Sequence, residues 1–518
     1  MTERIVVVGF GPVAARLVDE LLPAVRGGLA HLTVVGEEAE AAYNRVLVAD
    51  LGVGRTTASA LALSDAAALI ADGIDVRLGV RVRRVDRARQ QLVLSDGTSP
   101  GYDRLVFATG SRPVIPNLTG LNPDPAAPVL PAGVTALRDL RDASVLQAAV
   151  AGGKRVVVLG GGVLGLETAL AAAEEGATVT VVHNGPHPLG RNIDRGGGAV
   201  LAASLRNCGV RVAGNARSTG VEHNAPGGGF SALLLDDGSA IDGDLLVLSC
   251  GVRPRTELAE GCGLSTGAGI LVDHKLRAHH EPHIFAIGDC AEVRCPDPEC
   301  VECRTARGPS GLVGPGWRQA EWLAEYLTLL AAESPEAGLL LPLAAELPGV
   351  VVLKARGMNM AVAGDVSADP WDEDALTAGA VNGRARLQIA QWADPEHGRY
   401  VKMTTRAGVL EGLVAVGMPR TAAELVQLFE RGAELPADRS LLLRLDGPDQ
   451  AAAPGAGDPE RTVCRCAGVS GTKIAGAVTD GCGTVAEVSG ATRAGTGCGG
   501  CHDDIKGIIE KHFQGAVA

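Results

Sequence analysis

A chain of 518 residues with 46% hydrophobic content is too long for one core and too apolar to be disordered, so several packed domains are expected. A formal charge of −13 and a pI near 5.4 exclude the electrostatic footprint of a nucleic-acid binder, and no uninterrupted apolar run reaches the roughly 18 to 20 residues of a membrane helix. The opening MTERIVVVGFG passes straight into a strand and a glycine turn rather than a secretory pattern, so the expected compartment is the cytoplasm, where twelve cysteines point to metal or redox chemistry rather than to a disulfide framework.

The first predicted unit is RIVVVGFGPVAARLVDEL: an apolar strand over Ile5 to Val8, a turn Gly9-x-Gly11-x-x-Ala14, and helical periodicity from Val13 to Leu22. A pyrophosphate fits such a helix start, because glycines let the backbone approach the phosphates and the unpaired N–H groups and helix dipole favour an anion. The following strand, HLTVVGEE, ends at Glu37, where a carboxylate can accept from a ribose hydroxyl. A glycine turn alone can be purely structural. Strand, turn, helix, strand and acid in this order favour a dinucleotide site.

A second copy stands at KRVVVLGGGVLGLETALAAAEEGATVTVVH, with Gly160-x-Gly162-x-x-Gly165 opening a helix that carries Glu167. Its second strand ends at His183, where an acid would reject a 2′-phosphate, so NADH is not selected over NADPH; Arg191 could meet that phosphate or be an ordinary solvated arginine. Further strands ending in small-residue turns are predicted in YDRLVFATGSRP, DLLVLSCGVRP and HIFAIGDCAE.

Next comes CAEVRCPDPECVEC. Cys290, Cys295, Cys300 and Cys303 lie close together, and Cys300-x-x-Cys303 has metal-ligand spacing; chance thiols on a surface insertion are the alternative. The expectation is a second metal site on these four residues, an iron–sulfur cluster of [4Fe–4S] type ahead of zinc.

From 336 to 446 the pattern changes to short strands, GVVVLKARGMNMAVAGD and RYVKMTTRAGVLEGLVAVG, followed by a helix over Thr421 to Arg431. A Pro/Gly/Ala linker occupies 447–460. The tail pairs Cys464-x-Cys466 with Cys498-x-x-Cys501 across a stretch of helical periodicity. A redox disulfide, zinc and an iron–sulfur cluster are all possible for a Cys-x-x-Cys pair, but zinc loops fit Cys-x-Cys poorly, whereas four thiolates suit [2Fe–2S].

These motifs together resemble the two-dinucleotide flavoprotein reductases, an α/β class with two Rossmann-like domains. The resemblance implies a discontinuous FAD domain (1–120 and 251–335), an inserted NAD(P)H domain (121–250), an α+β interface or dimerisation domain (336–446) and a small helical domain (461–518). It makes Gly9, Gly11, Ala14, Glu37, Thr109, Gly110 and Asp289 FAD contacts and gives Gly160, Gly162, Gly165 and Glu167 to NAD(P)H. AAYNRVLVADL resembles the flavin-flanking segment of the nitrite reductase type, with Arg45 as the family arginine. The tail resembles the bacterioferritin-associated-ferredoxin-like domain, which implies a [2Fe–2S] cluster on Cys464, Cys466, Cys498 and Cys501, with Cys482 a non-ligand.

No cysteine precedes Cys208, so the flavin-side thiol pair of the disulfide reductases is missing; hydride transfer to flavin needs positioning more than an acid or base, and no catalytic side chain is expected. The domain order resembles the NADH-dependent nitrite reductase large subunit, in which a sirohaem module follows. These 518 residues hold no such module and are expected not to reduce nitrite alone. The implied function is an assimilatory nitrate reductase electron-transfer subunit, passing electrons from NAD(P)H through FAD and [2Fe–2S] to a molybdenum catalytic subunit. A general ferredoxin or rubredoxin reductase serving a small carrier, and a non-enzymatic iron- or redox-sensing module, are the other readings.

Overall fold

The computed structural model describes residues 2–121, 129–225, 227–304, 308–344, 349–355, 358–371, 386–446, 462–497 and 499–515. The linker expected at 447–460 and Cys498 lie outside them.

The first apolar run becomes the centre of a five-stranded parallel sheet in the order Ile284–Ala286, Arg104–Phe107, Glu3–Val8, Ala30–Val35, Asp75–Arg77. Ile5, Val6, Val7 and Val8 are all buried, as an unbroken apolar strand covered on both faces must be. The helix that follows spans Pro12–Arg26 and continues past Leu22 through Pro23. Pro12 costs it nothing, since the first helical N–H has no intrahelical partner. Leu17, Val18 and Leu21 face the sheet, and a long helix, Val313–Ala331, packs alongside. The two helices approach closely because Gly316 has no side chain: a Cβ there would lie 2.5 Å from Val13 Cγ2. Trp317 Nε1 donates to the Pro12 carbonyl at 3.2 Å and fixes the contact.

A second five-stranded parallel sheet has the order Val210–Ala213, Thr178–Val182, Arg155–Leu159, Leu245–Leu248, Val134–Thr135. The Val163–Glu174 helix lies on it through Leu166, Ala169 and Leu170, each fully buried. The two sheets are joined where Ser111–Pro113 pairs antiparallel with Val252–Pro254.

The third sheet is antiparallel, in the order Val351–Ala355, Met358–Gly364, Val409–Val416, Arg399–Arg406, Leu387–Asp394. One face carries the Pro419–Arg431 helix against Val401, Met403 and Leu413. The other face puts Met358, Met360, Tyr400 and Val414 into one core with Leu166 and Leu170 of the second unit. Within that contact Lys402 is buried, with Nζ 3.4 Å from Asp194 and donating to the Val366 carbonyl at 2.8 Å, so its charge is paired.

In the tail a short hairpin, Thr462–Cys464 with Val469–Ser470, leads into helices Gly471–Thr479, Val485–Thr492 and His502–Gly515. Ser470 caps the first, and Thr484 with Glu487 makes a capping box on the second. Ile474, Val478, Val488 and Ile505 form a small core around Cys464 and Cys501. Among the described residues no helix is long and apolar enough to cross a membrane.

Candidate functional site: a glycine turn, a second helix and a thiolate cradle on one cavity

In each of the two glycine turns the first and second glycines stand in different surroundings. Gly9 has φ +102° and Gly160 φ +127°, and a Cβ would lie 2.3 Å from the Ala108 carbonyl oxygen in one case and 2.0 Å from that of Ser249 in the other. These glycines let the strand end cross its neighbour. Gly11 and Gly162, the helix N-caps, have ordinary φ values of −97° and −81°. A Cβ on Gly162 would meet nothing within 4 Å, and one on Gly11 only Arg45 Nε at 4.0 Å. Protein packing therefore does not demand glycine at either N-cap; the space over them and the free N–H groups fit a pyrophosphate. Gly165 packs its helix onto the second turn, with a Cβ there only 2.4 Å from the Gly160 carbonyl.

A single cavity of about 2560 Å³ is lined by Gly9, Gly11, Glu167, Asp289, Cys464 and Cys501, among others. At its rim Glu37 is half exposed and faces Arg81 at 3.3 Å and Arg255 at 3.6 Å. The next residue, Glu38, pairs with Arg45 and accepts from Tyr43 Oη at 2.7 Å, while the Arg45 guanidinium stacks 4.7 Å over the Tyr43 ring. Burial pushes the Glu38 carboxyl up, but Arg45 and the Tyr43 hydroxyl outweigh it and hold it below its usual range. Arg45 is thus locked beside the Gly11 turn, and Glu38, the neighbour of the acid that ends the second strand's segment, does the locking.

Asp289 accepts from Ser111 Oγ at 2.6 Å and from Arg138 Nη2 at 3.3 Å; Arg138 also donates to Ser111 Oγ at 2.7 Å. Thr109 Oγ1 donates to the Arg255 carbonyl at 2.9 Å, and Gly110 turns the chain with φ +66°. Ala14 is buried one turn into the first helix. His183 is also buried, its ring 3.2 Å from where a Cβ on Gly161 would lie, and its Nε2 has no hydrogen-bond partner. Burial drives its pKa below the ordinary histidine value. Arg191 is exposed on the cavity wall.

The tail brings Cys464, Cys466 and Cys501 together: Cys464 and Cys466 Sγ are 3.7 Å apart, and Cys464 is hydrogen-bonded by both other thiols, which holds it far below its usual range. Gly495 N–H donates to Cys464 Sγ at 3.5 Å. A Cβ on Gly497 would sit 2.3 Å from Cys466 Sγ, so the loop is shaped around sulfur. Adjacent thiolates with backbone N–H groups aimed at them are the donor set a [2Fe–2S] cluster needs, and the site fits it. Cys482 packs at the edge of the tail's core.

The thiolate loop rests on the first unit. Asn44 Nδ2 donates to the carbonyls of Thr496 and Gly497, Leu47 lies against Gly499, and Arg493 pairs with Asp19 at 3.4 Å and Glu20 at 3.0 Å. Asn44 and Leu47 belong to the segment that carries Arg45, and Asp19 and Glu20 to the first helix.

The four cysteines at 290–303 do not converge as expected. Cys290 is fully buried under the first sheet, its Sγ donating to the carbonyls of Ile287 and Phe107 at 3.3 and 3.4 Å. It belongs to the strand end that carries Asp289 and cannot reach the loop. His274 stands in its place beside Cys295, Cys300 and Cys303.

The profile of the pyridine nucleotide-disulphide oxidoreductase family matches residues 3–309, and that of the BFD-like [2Fe–2S] binding domain matches 462–511. The chain belongs to the pyridine nucleotide-disulphide oxidoreductases: it is an NAD(P)H-dependent oxidoreductase whose cofactors are FAD and a [2Fe–2S] cluster. It is 31% identical over 98% of its length to the nitrite reductase [NAD(P)H] large subunit of Klebsiella oxytoca, covering 48% of that protein. To the assimilatory nitrate reductase electron transfer subunit of Bacillus subtilis it is 25% identical over 98% of its length, covering 59%. The chain thus spans about half the length of these curated relatives. Its fold matches that of a putidaredoxin reductase in covalent complex with putidaredoxin, with TM-score 0.68, 24% identity, and 85% of this chain and 95% of that one covered.

Proposed function

We propose that the protein takes hydride from NAD(P)H and delivers electrons singly, through its own tail cluster, to a separate acceptor, the catalytic subunit of an assimilatory nitrate reductase. The observation that carries this is the shared cavity, lined at once by the first glycine turn, by Glu167 on the second helix and by Cys464 and Cys501. A reductase that served only a diffusing carrier would have no need to hold its own thiolate loop against the flavin side. The likeness to the Bacillus subtilis electron transfer subunit supports this acceptor.

In this reading Gly9, Gly11, Ala14, Glu37, Arg45, Thr109, Gly110 and Asp289 hold FAD, in a unit made of 1–120 and 251–335. Gly160, Gly162, Gly165 and Glu167 hold NAD(P)H in 121–250, and Cys464, Cys466, Cys498 and Cys501 hold the cluster in 461–518. When bound, FAD accepts a hydride and the cluster carries single electrons. The protein's part is positioning. Glu38 and Tyr43 fix Arg45, Ser111 and Arg138 fix the Asp289 carboxylate as an acceptor for a ligand hydroxyl, and Asn44 fixes the thiolate loop.

The test is reconstitution of the full chain with NAD(P)H and a molybdenum nitrate reductase subunit. Nitrite formation that depends on the chain and on Cys501 supports the proposal. Fast reduction of an added ferredoxin or rubredoxin, with no support of nitrate reduction, selects the small-carrier reading instead.

A further inference from the structure

We propose that His274, Cys295, Cys300 and Cys303 form a closed site for a single zinc ion that clamps the 294–304 loop to the turn after the Ile270–Val272 strand. The ligand atoms of these residues all lie within 4.8 Å of one another. His274 Nε2 is 3.4 Å from both Cys300 Sγ and Cys303 Sγ, and Cys303 Sγ is 3.5 Å from Cys295 Sγ. A tetrahedral ion with Zn–S of about 2.3 Å and Zn–N of about 2.0 Å has ligand-to-ligand edges of roughly 3.5 to 3.8 Å. The observed separations are close to those edges. A [4Fe–4S] cluster places each ligand on a separate iron and spreads them much further, so the relay cluster expected from the cysteine spacing does not fit. A disulfide does not fit either: its sulfurs would be about 2.05 Å apart, and it would leave a thiol and the imidazole unused.

The loop itself gives these thiols no other reason to meet. Pro296, Asp297, Pro298 and Glu299 separate Cys295 from Cys300, the one apolar residue before Cys303, Val301, is 76% exposed, and all four candidate ligands are only half-buried. Cys295 N–H already donates to Cys303 Sγ at 3.1 Å, a bond that stabilises a thiolate ligand. On the other side His274 sits in a turn made rigid by Asp273, whose carboxylate accepts from Lys275 N at 2.8 Å and Arg277 Nε at 2.9 Å. A Cys₃His set with no open position is structural and redox-silent. Its place explains its use: the clamped loop leads to the Val313–Ala331 helix, whose first residues, Val313 and Gly314, line the cavity. The inference is independent of which protein accepts the electrons.

Metal analysis of the full-length, cluster-loaded protein tests it. The expected content is about one zinc per chain beside the about two irons of the tail cluster. Cys300→Ser/Cys303→Ser should drop zinc to under about a tenth of that, while the irons and the flavin spectrum stay. X-ray absorption at the zinc edge should show a shell of three sulfurs and one nitrogen, a measurement that needs no variant. Absence of zinc, zinc that survives in the double variant, a shell without sulfur, or about six irons per chain would each overturn the proposal.

Discussion

Asn44 Nδ2 donates to the Gly497 carbonyl at 2.7 Å, and so ties the segment that carries Arg45 to the loop that carries the tail thiolates. The same side chain accepts from Val46 N at 3.0 Å and caps the short helix Arg45–Leu47. Asn44→Asp keeps that cap and turns the donor to the thiolate loop into an acceptor facing two carbonyls. With the group buried, the loss should be about 1 to 3 kcal/mol of docking energy. Stopped-flow reduction by NAD(P)H should then show flavin bleaching at the wild-type rate and cluster bleaching slowed by about tenfold or more.

The two N-cap glycines should separate the cofactors. Gly11→Val should yield protein with little FAD, because the side chain takes the space left for the pyrophosphate. Gly162→Val should keep its FAD and raise the KM for NAD(P)H by about tenfold or more, equivalent to about 1.4 kcal/mol. Flavin content by absorbance and steady-state dye reduction check both, and equal flavin loss in the two variants contradicts the assignment.

Cys501→Ser should abolish the [2Fe–2S] spectrum while NAD(P)H-dependent dye reduction at the flavin continues. Since Cys501 also lies in the tail's core, circular dichroism should accompany the assay. Loss of dye reduction in folded variant protein would mean that the cluster precedes the flavin.

His183 should make the second unit acid-sensitive. Burial lowers its pKa in the folded state, with His187 adding to the effect and a bond with the Gly185 backbone opposing it. Below about 6.5 the unfolded chain therefore takes up a proton that the folded chain resists, and stability falls as pH drops through that window, by up to about 1.4 kcal/mol per pH unit. Thermal unfolding at neutral pH and at pH near 5 should show this loss in the wild type and a smaller loss in His183→Gln.

What was legible in the sequence was local. Gly9 and Gly160 announce themselves because a strand end crossing its neighbour at positive φ admits no other residue, and the apolar run of Ile5 to Val8 could only be a strand buried on both faces. The partners that position the site were not legible, because each meets its counterpart across the fold. Arg138 reaches Asp289 from the turn before the Leu140–Ala151 helix, Asn44 reaches Gly497 from the opposite end of the chain, and His274 joins the cysteine loop from another strand's turn. Spacing alone put Cys290 in the cluster; only the fold shows that its sulfur lies beneath the first sheet.

The proposed electron route runs from NAD(P)H across one cavity to the tail thiolates. Anaerobic titration of the loaded full-length protein with NAD(P)H, followed by flavin absorbance and by electron paramagnetic resonance of the cluster, tests it most directly. The flavin should bleach first and a reduced [2Fe–2S] signal should then grow, with no such signal in flavin-free Gly11→Val. A cluster that stays oxidised under fully reduced flavin, or one that is reduced without flavin, would contradict it.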